Sequence, residues 1–193
     1  MNVALKTKQW TADEFVETDQ HDFGPLWRYE LVDGCIVGHA APSPRHGVIV
    51  SNLATAVTLA LRAQGSACQS EVGSAATPKT QQRNTARIPD LTIRCGEHPR
   101  VFFEVISPSE LRSLRARDLK RRDLQAVEGI EEIVEIFQHE DVCHLYRRNP
   151  ATDRWTFDFL DDRDAVLRLE SVGIDLRLSD IYPAHPSEQE TPE

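Results

Sequence analysis

Residues 87–93 read Arg-Ile-Pro-Asp-Leu-Thr-Ile, and residues 101–106 read Val-Phe-Phe-Glu-Val-Ile. Both stretches predict buried β-strands that each carry one carboxylate, Asp90 in the first and Glu104 in the second. Burying an ionised carboxylate costs several kcal/mol or more unless a cation or hydrogen bonds compensate it. If the strands pair, both carboxylates could share one hard cation, with Mg²⁺ as the leading candidate. The alternative is that Asp90 only opens its strand and Glu104 pairs with an arginine.

Length, charge and cysteine content restrict the class of protein. The 193 residues suit one domain, which we place at 1–183, followed by a disordered acidic tail at 184–193. A net charge of −9 argues against nonspecific binding of polyanions but allows a local basic face. The four scattered cysteines lack a metal-binding spacing and predict reduced thiols rather than disulfides: Cys35, Cys68, Cys95 and Cys143.

The sequence carries no recognisable targeting or membrane signal. The first residues lack the basic and then apolar pattern of a signal peptide, and we find no apolar run near the roughly 18 residues of a membrane span. We therefore expect a cytoplasmic protein without a membrane partner.

Local signals predict the order of helices and strands. Residues 11–14, Thr-Ala-Asp-Glu, form a capping box that starts a short helix, and Asp-Gly at 33–34 suits a type I′ hairpin. Helical spacing of apolar residues predicts a helix over about 45–64, and the polar segment 77–85 predicts a mobile loop. Further runs predict a helix, four strands and a last helical turn: 117–127, 132–137, 142–146, 155–160, 166–169 and 178–182. Strands interleaved with helices indicate an α/β domain with a mixed central sheet.

The segment after the Glu104 strand is strongly basic in an otherwise acidic protein. A helix there could present Lys120 to the carboxylate pair. Three arginines of this helix would then face solvent and the phosphates of a nucleic acid: Arg117, Arg121 and Arg122. The alternative is a solvated helical face on which two aspartates partly balance the charge.

Taken together, Pro89-Asp90, Glu104 and a following lysine resemble the PD-(D/E)XK nuclease superfamily. The bacterial Uma-two family of endonucleases is a closer likeness, in blocks of matching order and spacing from Thr11 to about Tyr182. The blocks are Trp-Arg-Tyr-Glu-Leu-Val-Asp-Gly at 27–34, Ser-Pro-Arg-His at 43–46, Arg-Ile-Pro-Asp at 87–90 and Phe-Glu-Val-Ile-Ser-Pro-Ser at 103–109. The resemblance implies a restriction-endonuclease-like mixed sheet flanked by helices, dependence on Mg²⁺ with Mn²⁺ as a substitute, and hydrolysis of phosphodiester bonds.

The resemblance also implies roles for individual residues. Asp90 and Glu104 become metal ligands, and Lys120 becomes the basic group near the attacking water. Glu30 becomes a third acidic member of the site, although it could instead only accept a hydrogen bond within its hairpin. His46 is a weaker candidate, because a histidine at a helix start is more often a capping or packing residue.

One departure from the superfamily pattern concerns the lysine. It usually lies two residues after the glutamate, where this chain has Ile106, which has no acid–base chemistry. The Uma-two branch implies a replacement on the next helix, at Lys120, with Arg121 and Arg122 as alternatives in register.

Two functions compete on these grounds. The leading hypothesis is a Mg²⁺-dependent endonuclease acting on DNA. The alternative, which Ile106 keeps open, is a nuclease-fold protein with weak or no hydrolysis that acts as a DNA-binding or regulatory partner. A purely structural module would leave the two strand carboxylates without a purpose. The apolar strands near the C-terminus, together with the resemblance, favour a homodimer.

Overall fold

Short helices alternate with strands in the computed structural model, which describes residues 3–5, 8–26, 28–79 and 84–184. The helices are α1 (Ala12–Glu17), α2 (Pro44–Ala63), α3 (Pro108–Leu111), α4 (Leu114–Gln125) and α5 (Leu178–Ile181), with a 3₁₀ turn at Gln20–Phe23. The strands are β1 (Val3–Leu5), β2 (Arg28–Val32), β3 (Cys35–His39), β4 (Gln69–Val72), β5 (Leu91–Cys95), β6 (His98–Ile106), β7 (Glu132–Phe137), β8 (Cys143–Arg148), β9 (Trp155–Leu160), β10 (Val166–Leu169) and β11 (Ile174–Arg177).

The main sheet has six strands in the order β4-β5-β6-β7-β8-β9. Only the β6–β7 pairing within it is parallel, and α3 and α4 lie in the connection between these two strands. A parallel pair needs such a crossover, whereas antiparallel neighbours can be joined by short turns. The mixed sheet with flanking helices confirms the predicted α/β class.

The strand β6 has two different faces, because successive side chains of a strand point to opposite sides. Phe103 and Val105 belong to the large core cluster, together with the buried stripe of α2. On the other face, Phe102 packs in the cluster of α4 that contains Leu124. Glu104 points to this second face, so the space between α4 and the sheet receives its carboxylate.

Helix α2 corrects one expectation from the sequence. An 18-residue window of this 20-residue helix has a mean hydropathy of 1.2, so the helix is long and apolar enough to cross a membrane by length and composition. In this fold, however, its buried residues recur at helical spacing and pack on the sheet: Ile49, Leu53, Val57 and Leu61. One face of the helix therefore packs on the sheet, and 22% of the apolar window is buried.

The small sheet, ordered β1-β3-β2, carries the hairpin predicted from Asp33 and Gly34. Their φ angles of 49° and 77° confirm the type I′ turn, which needs positive φ at both positions. Tyr29 and Leu31 of β2 are buried in an aromatic cluster with Phe15, while Arg28 and Glu30 of the same strand point to the other side, toward Asp90 and α4. The capping box predicted at the start of α1 is also present.

The prediction of four reduced thiols was wrong for Cys68 and Cys95, which form a disulfide. Antiparallel pairing of β4 with β5 sets Gln69 opposite Arg94, and this register brings the flanking cysteines to a Cα–Cα distance of 4.2 Å. Because two of the four cysteines are paired, the cysteines no longer indicate a reducing compartment. Cys35 and Cys143 are free.

Two expectations fall on residues outside the described ranges. The proposed mobile loop at 77–85 includes residues 80–83, and the proposed tail at 184–193 lies almost entirely beyond residue 184. The strands β1, β4 and β11 and the short helix α3 were not predicted. The predicted α2, α4 and β7 to β10 are present, with ends shifted by up to three residues.

Candidate active site

Asp90 lies directly before β5 and joins three parts of the fold. Its Oδ2 accepts a hydrogen bond of 2.8 Å from the backbone N–H of Val105 in β6. Its Oδ1 is 2.8 Å from Nη1 of Arg28 in β2 and 3.4 Å from Nε2 of His46 in α2. Burial acts to raise the pKa of Asp90, but the His46 hydrogen bond and the Arg28 charge hold that pKa well below its usual range. Asp90 is therefore a fixed anion.

Glu104 lies beside it with incomplete hydrogen bonding. Its Oε2 is 2.8 Å from Nζ of Lys120, whereas its Oε1 is buried and has no hydrogen-bond partner among the described residues. Burial raises the pKa of Glu104 to about 8; the Lys120 charge opposes that shift and the Asp90 charge adds to it. A buried oxygen without a partner is costly, so this atom is suited to receive a cation.

Lys120 reaches the site from α4 and bridges two carboxylates. Its Nζ is 3.0 Å from Oε1 of Glu30, in addition to its contact with Glu104. Burial would lower the pKa of Lys120, but these two carboxylates raise it above its usual value. The group is thus held as an ammonium ion. Ile106, at the usual position of the superfamily lysine, is buried in β6.

Glu30 holds Lys120 in place and is itself fully engaged. It accepts hydrogen bonds of 3.1 Å from both Nη1 of Arg87 and the backbone N–H of Ile88. Arg87 also binds Asp123 of α4 through Nη2 at 2.7 Å. Despite burial, the charges of Lys120 and Arg87 and the neighbouring His39, whose Nε2 is 3.4 Å from Oε2, hold the pKa of Glu30 well below its usual range. This arrangement makes Glu30 a positioning group for the lysine.

The three arginines expected at phosphates have different surroundings. Arg117 donates to Glu135 of β7, and Arg121 Nη1 lies 3.2 Å from the same carboxylate. Arg122 is exposed on α4. Of these three side chains, only Arg122 is turned fully toward solvent, and Glu135 ties the other two to the sheet.

Sequence reasoning missed two members of the site, Arg28 and Arg87. Arg28 lies two residues before Glu30 in β2, and this spacing puts both side chains on one face of the strand. Arg87 lies three residues before Asp90. Both arginines lie in blocks that carry the family resemblance, 27–34 and 87–90. The two-residue spacing between Arg28 and Glu30 was the signal that could have identified Arg28. The structure brings His46, the weaker candidate, to Asp90.

The donor set suits a hard cation. In the described ranges, no group of three or more His, Cys, Asp or Glu side chains is arranged as a metal cage. Mg²⁺ does not require one, because it keeps several waters and uses one or two carboxylates together with substrate phosphate. Asp90 and Glu104, with the unpartnered Oε1, fit that requirement.

Comparison with known proteins identifies the family. The sequence profile of Uma2, described as "Putative restriction endonuclease", matches residues 12–179. The chain belongs to the Uma2 family. This match covers most of the chain and confirms the resemblance drawn from the motif blocks.

A solved structure shares the fold of this Uma2 protein. It is described as "a putative nuclease belonging to DUF820 from Anabaena variabilis", and the two structures superimpose with a TM-score of 0.66. The match covers 89% of this chain and 97% of the other, at 17% sequence identity, so it supports the fold alone. Among curated proteins, no sequence matches this chain.

Proposed function

We propose that this Uma2 protein is a Mg²⁺-dependent endonuclease that hydrolyses phosphodiester bonds in DNA. Membership of a restriction-endonuclease family supports a nuclease with a nucleic-acid substrate. The observation that carries the finer proposal is the buried Oε1 of Glu104, which has no partner among the described residues and lies beside the ionised Asp90.

In this proposal Asp90 and Glu104 hold the metal ion. The chemistry supplied by bound Mg²⁺ is polarisation of the scissile phosphate and acidification of a water molecule. Arg28 and His46 fix the Asp90 carboxylate through its Oδ1, and the Val105 N–H fixes its other oxygen. Because its pKa is raised to about 8, Glu104 would have to give up a proton in order to hold the cation.

Lys120 acts in this proposal as an electrostatic group. Its raised pKa keeps it protonated at neutral pH, so it does not serve as a general base. Its ammonium lies within 2.8 Å of Glu104, where it can orient the nucleophile and offset negative charge that develops on the phosphate. Glu30 and Arg87 hold it there, and Lys120 thus replaces the lysine missing at Ile106.

The experiment is cleavage of supercoiled plasmid by the purified protein. We expect nicked or linear DNA with Mg²⁺ or Mn²⁺, no cleavage with a chelator, and no cleavage by Asp90→Asn. Parallel reactions with single-stranded DNA and with RNA test the choice of substrate. A wild-type protein that binds DNA and Mn²⁺ but cleaves none of these substrates would instead be the DNA-binding or regulatory partner.

A further inference from the structure

The outer edge of the main sheet is an open strand with large apolar side chains. In the sheet formed by the described residues β9 is the last strand, and Phe157 and Phe159 in it are each 55% exposed. Proteins usually blunt or cover such an edge, since its free backbone groups and apolar surface pair with other chains. Neither phenylalanine belongs to the proposed nuclease site.

Two hydrogen bonds show which backbone groups of β9 point toward β8 and which point to the open side. The carbonyl of Arg154 accepts from the N–H of Asn149 at 2.7 Å, so it points inward to the neighbouring chain segment. The N–H of Phe159 donates to Oδ1 of Asp158 at 2.9 Å and does not join the ladder with β8. Because backbone groups alternate in direction along a strand, the odd-numbered residues of 155–159 present theirs to the open side.

We propose that β9 pairs antiparallel with β9 of a second copy of this chain, about a two-fold axis at Phe157. In this register Phe157 faces Phe157 of the second copy, and Trp155 faces Phe159. The outward backbone groups of the odd-numbered residues then pair, and the aromatic side chains of both copies pack on the same side of the joined sheet. The same strand serves both copies, as a two-fold interface requires.

Charges on the other side of β9 favour this register over one whose axis lies at Asp158. Arg154 and Asp158 are both exposed and belong to the even-numbered face. With the axis at Phe157, Asp158 lies opposite Thr156 of the second copy. Its diagonal neighbours there are Arg154, which attracts it, and the second copy's own Asp158, which repels it at the same spacing. An axis at Asp158 would instead set two carboxylates directly opposite each other, which is unfavourable.

The acidic surroundings favour a protein over a nucleic acid at this edge. Asp158, Asp161 and Asp162 are exposed at or just beyond the end of β9. Exposed aromatic side chains can stack on bases, but such sites in nucleic-acid-binding proteins combine them with a positively charged groove. A second copy, which supplies Arg154 to Asp158, matches the charge of this edge better.

Sedimentation equilibrium of the full chain tests the interface. We expect a dimer at roughly micromolar concentration, as for a small specific interface, and a monomer for Phe157→Glu in the same range. A wild-type chain that stays monomeric at about 100 µM overturns the proposal. If Phe157→Glu weakens oligonucleotide binding in such a monomer, the edge is a nucleic-acid surface instead.

Charge reversal tests the register. Asp158→Arg and Arg154→Asp should each raise the dimer Kd about tenfold, and the double variant should return it to within about threefold of wild type. The matched control is Asp175→Arg, which reverses one side of the exposed Arg168–Asp175 pair on the β10–β11 hairpin and should leave Kd unchanged. Single variants with wild-type Kd, or a folded double variant without recovery, contradict this register.

Discussion

Glu104 and Glu135 are neighbours with opposite properties. They are paired in register on the parallel strands β6 and β7, both are buried, and both receive cations from α4. Burial raises the pKa of Glu104 to about 8, while the nearby His144 and the hydrogen bonds and charges of Arg117 and Arg121 overcome burial and lower the pKa of Glu135 to about 2.

The difference lies in how many partners each carboxylate has. Glu135 receives Arg117, Arg121 and Tyr146, whereas one oxygen of Glu104 has no hydrogen-bond partner among the described residues. Charge and burial alone therefore do not distinguish a ligand site from a structural ion pair. We infer that Glu104 is open to a cation and that Glu135 stabilises the fold.

The largest loss of cleavage should come from removing a proposed metal ligand. Asp90→Asn removes the charge of one proposed ligand and should lower single-turnover cleavage about a thousandfold. Glu135→Gln, which changes a carboxylate of equal burial, should keep cleavage within about fivefold of wild type at a temperature where it is folded. Equal losses in both variants would erase the distinction between the two carboxylates.

Lys120→Met should lower single-turnover cleavage about a hundredfold, since it removes one positioned charge while keeping much of the stem's packing. Mn²⁺ affinity should change only slightly. The comparison variant is Arg121→Met. Because Glu135 holds the Arg121 guanidinium in the wild type, its loss should lower single-turnover cleavage less than tenfold. Wild-type cleavage by Lys120→Met would assign its role to another group.

Stability should respond in the opposite order. Glu135→Gln leaves Arg117 without its anion and removes one of the two carboxylates that Arg121 contacts, and we expect the free energy of unfolding to fall by about 2 kcal/mol. Glu104→Gln should change the free energy of unfolding by less than about 1 kcal/mol. Lys120 keeps its ion pair with Glu30 in this variant, and the uncharged form of Glu104 is already favoured in the metal-free protein. Urea denaturation at neutral pH measures both values, and a greater loss in Glu104→Gln would contradict this account.

Glu135 should also make the fold sensitive to acid. Its pKa falls from 4.5 to about 2 on folding, so its contribution to stability is complete above about pH 4.5 and is lost as the pH falls toward 2. Between pH 5 and pH 3, wild type should lose about 2 kcal/mol more than Glu135→Gln. Parallel pH profiles of unfolding for the two proteins would show that Glu135 is not the titrating group.

The smallest effect concerns DNA binding outside the site. Arg122→Ala should weaken binding uniformly across sequences and reduce the slope of log affinity against log salt by about 1. Arg117→Ala should not change this slope, because Glu135 already holds that guanidinium. An unchanged slope for Arg122→Ala would make it part of a solvated helical face.

Local features of the fold were predictable because their causes lie within a few residues. The Thr11–Glu14 capping box and the Asp33-Gly34 turn each depend on contacts between near neighbours in sequence. Asp90 and Glu104 were predictable because each is a polar exception in an apolar strand.

Features that depend on register between distant segments were not predictable. The Cys68–Cys95 disulfide follows from the pairing of β4, whose sequence Gln-Ser-Glu-Val has little apolar alternation. The Arg28–Asp90 and Arg87–Glu30 contacts join residues 62 and 57 positions apart. Charge alone does not distinguish Lys120, which binds Glu104, from Arg117 and Arg121, which bind Glu135; the family resemblance pointed to Lys120.

Calorimetric titration with Mn²⁺ tests the central claim most directly, because it does not depend on turnover. Wild type and Glu135→Gln should each bind Mn²⁺ at one site with similar affinity, and Glu104→Gln should lose that binding. Undiminished Mn²⁺ binding by Glu104→Gln would contradict the assignment of the unpartnered Glu104 oxygen as a metal ligand.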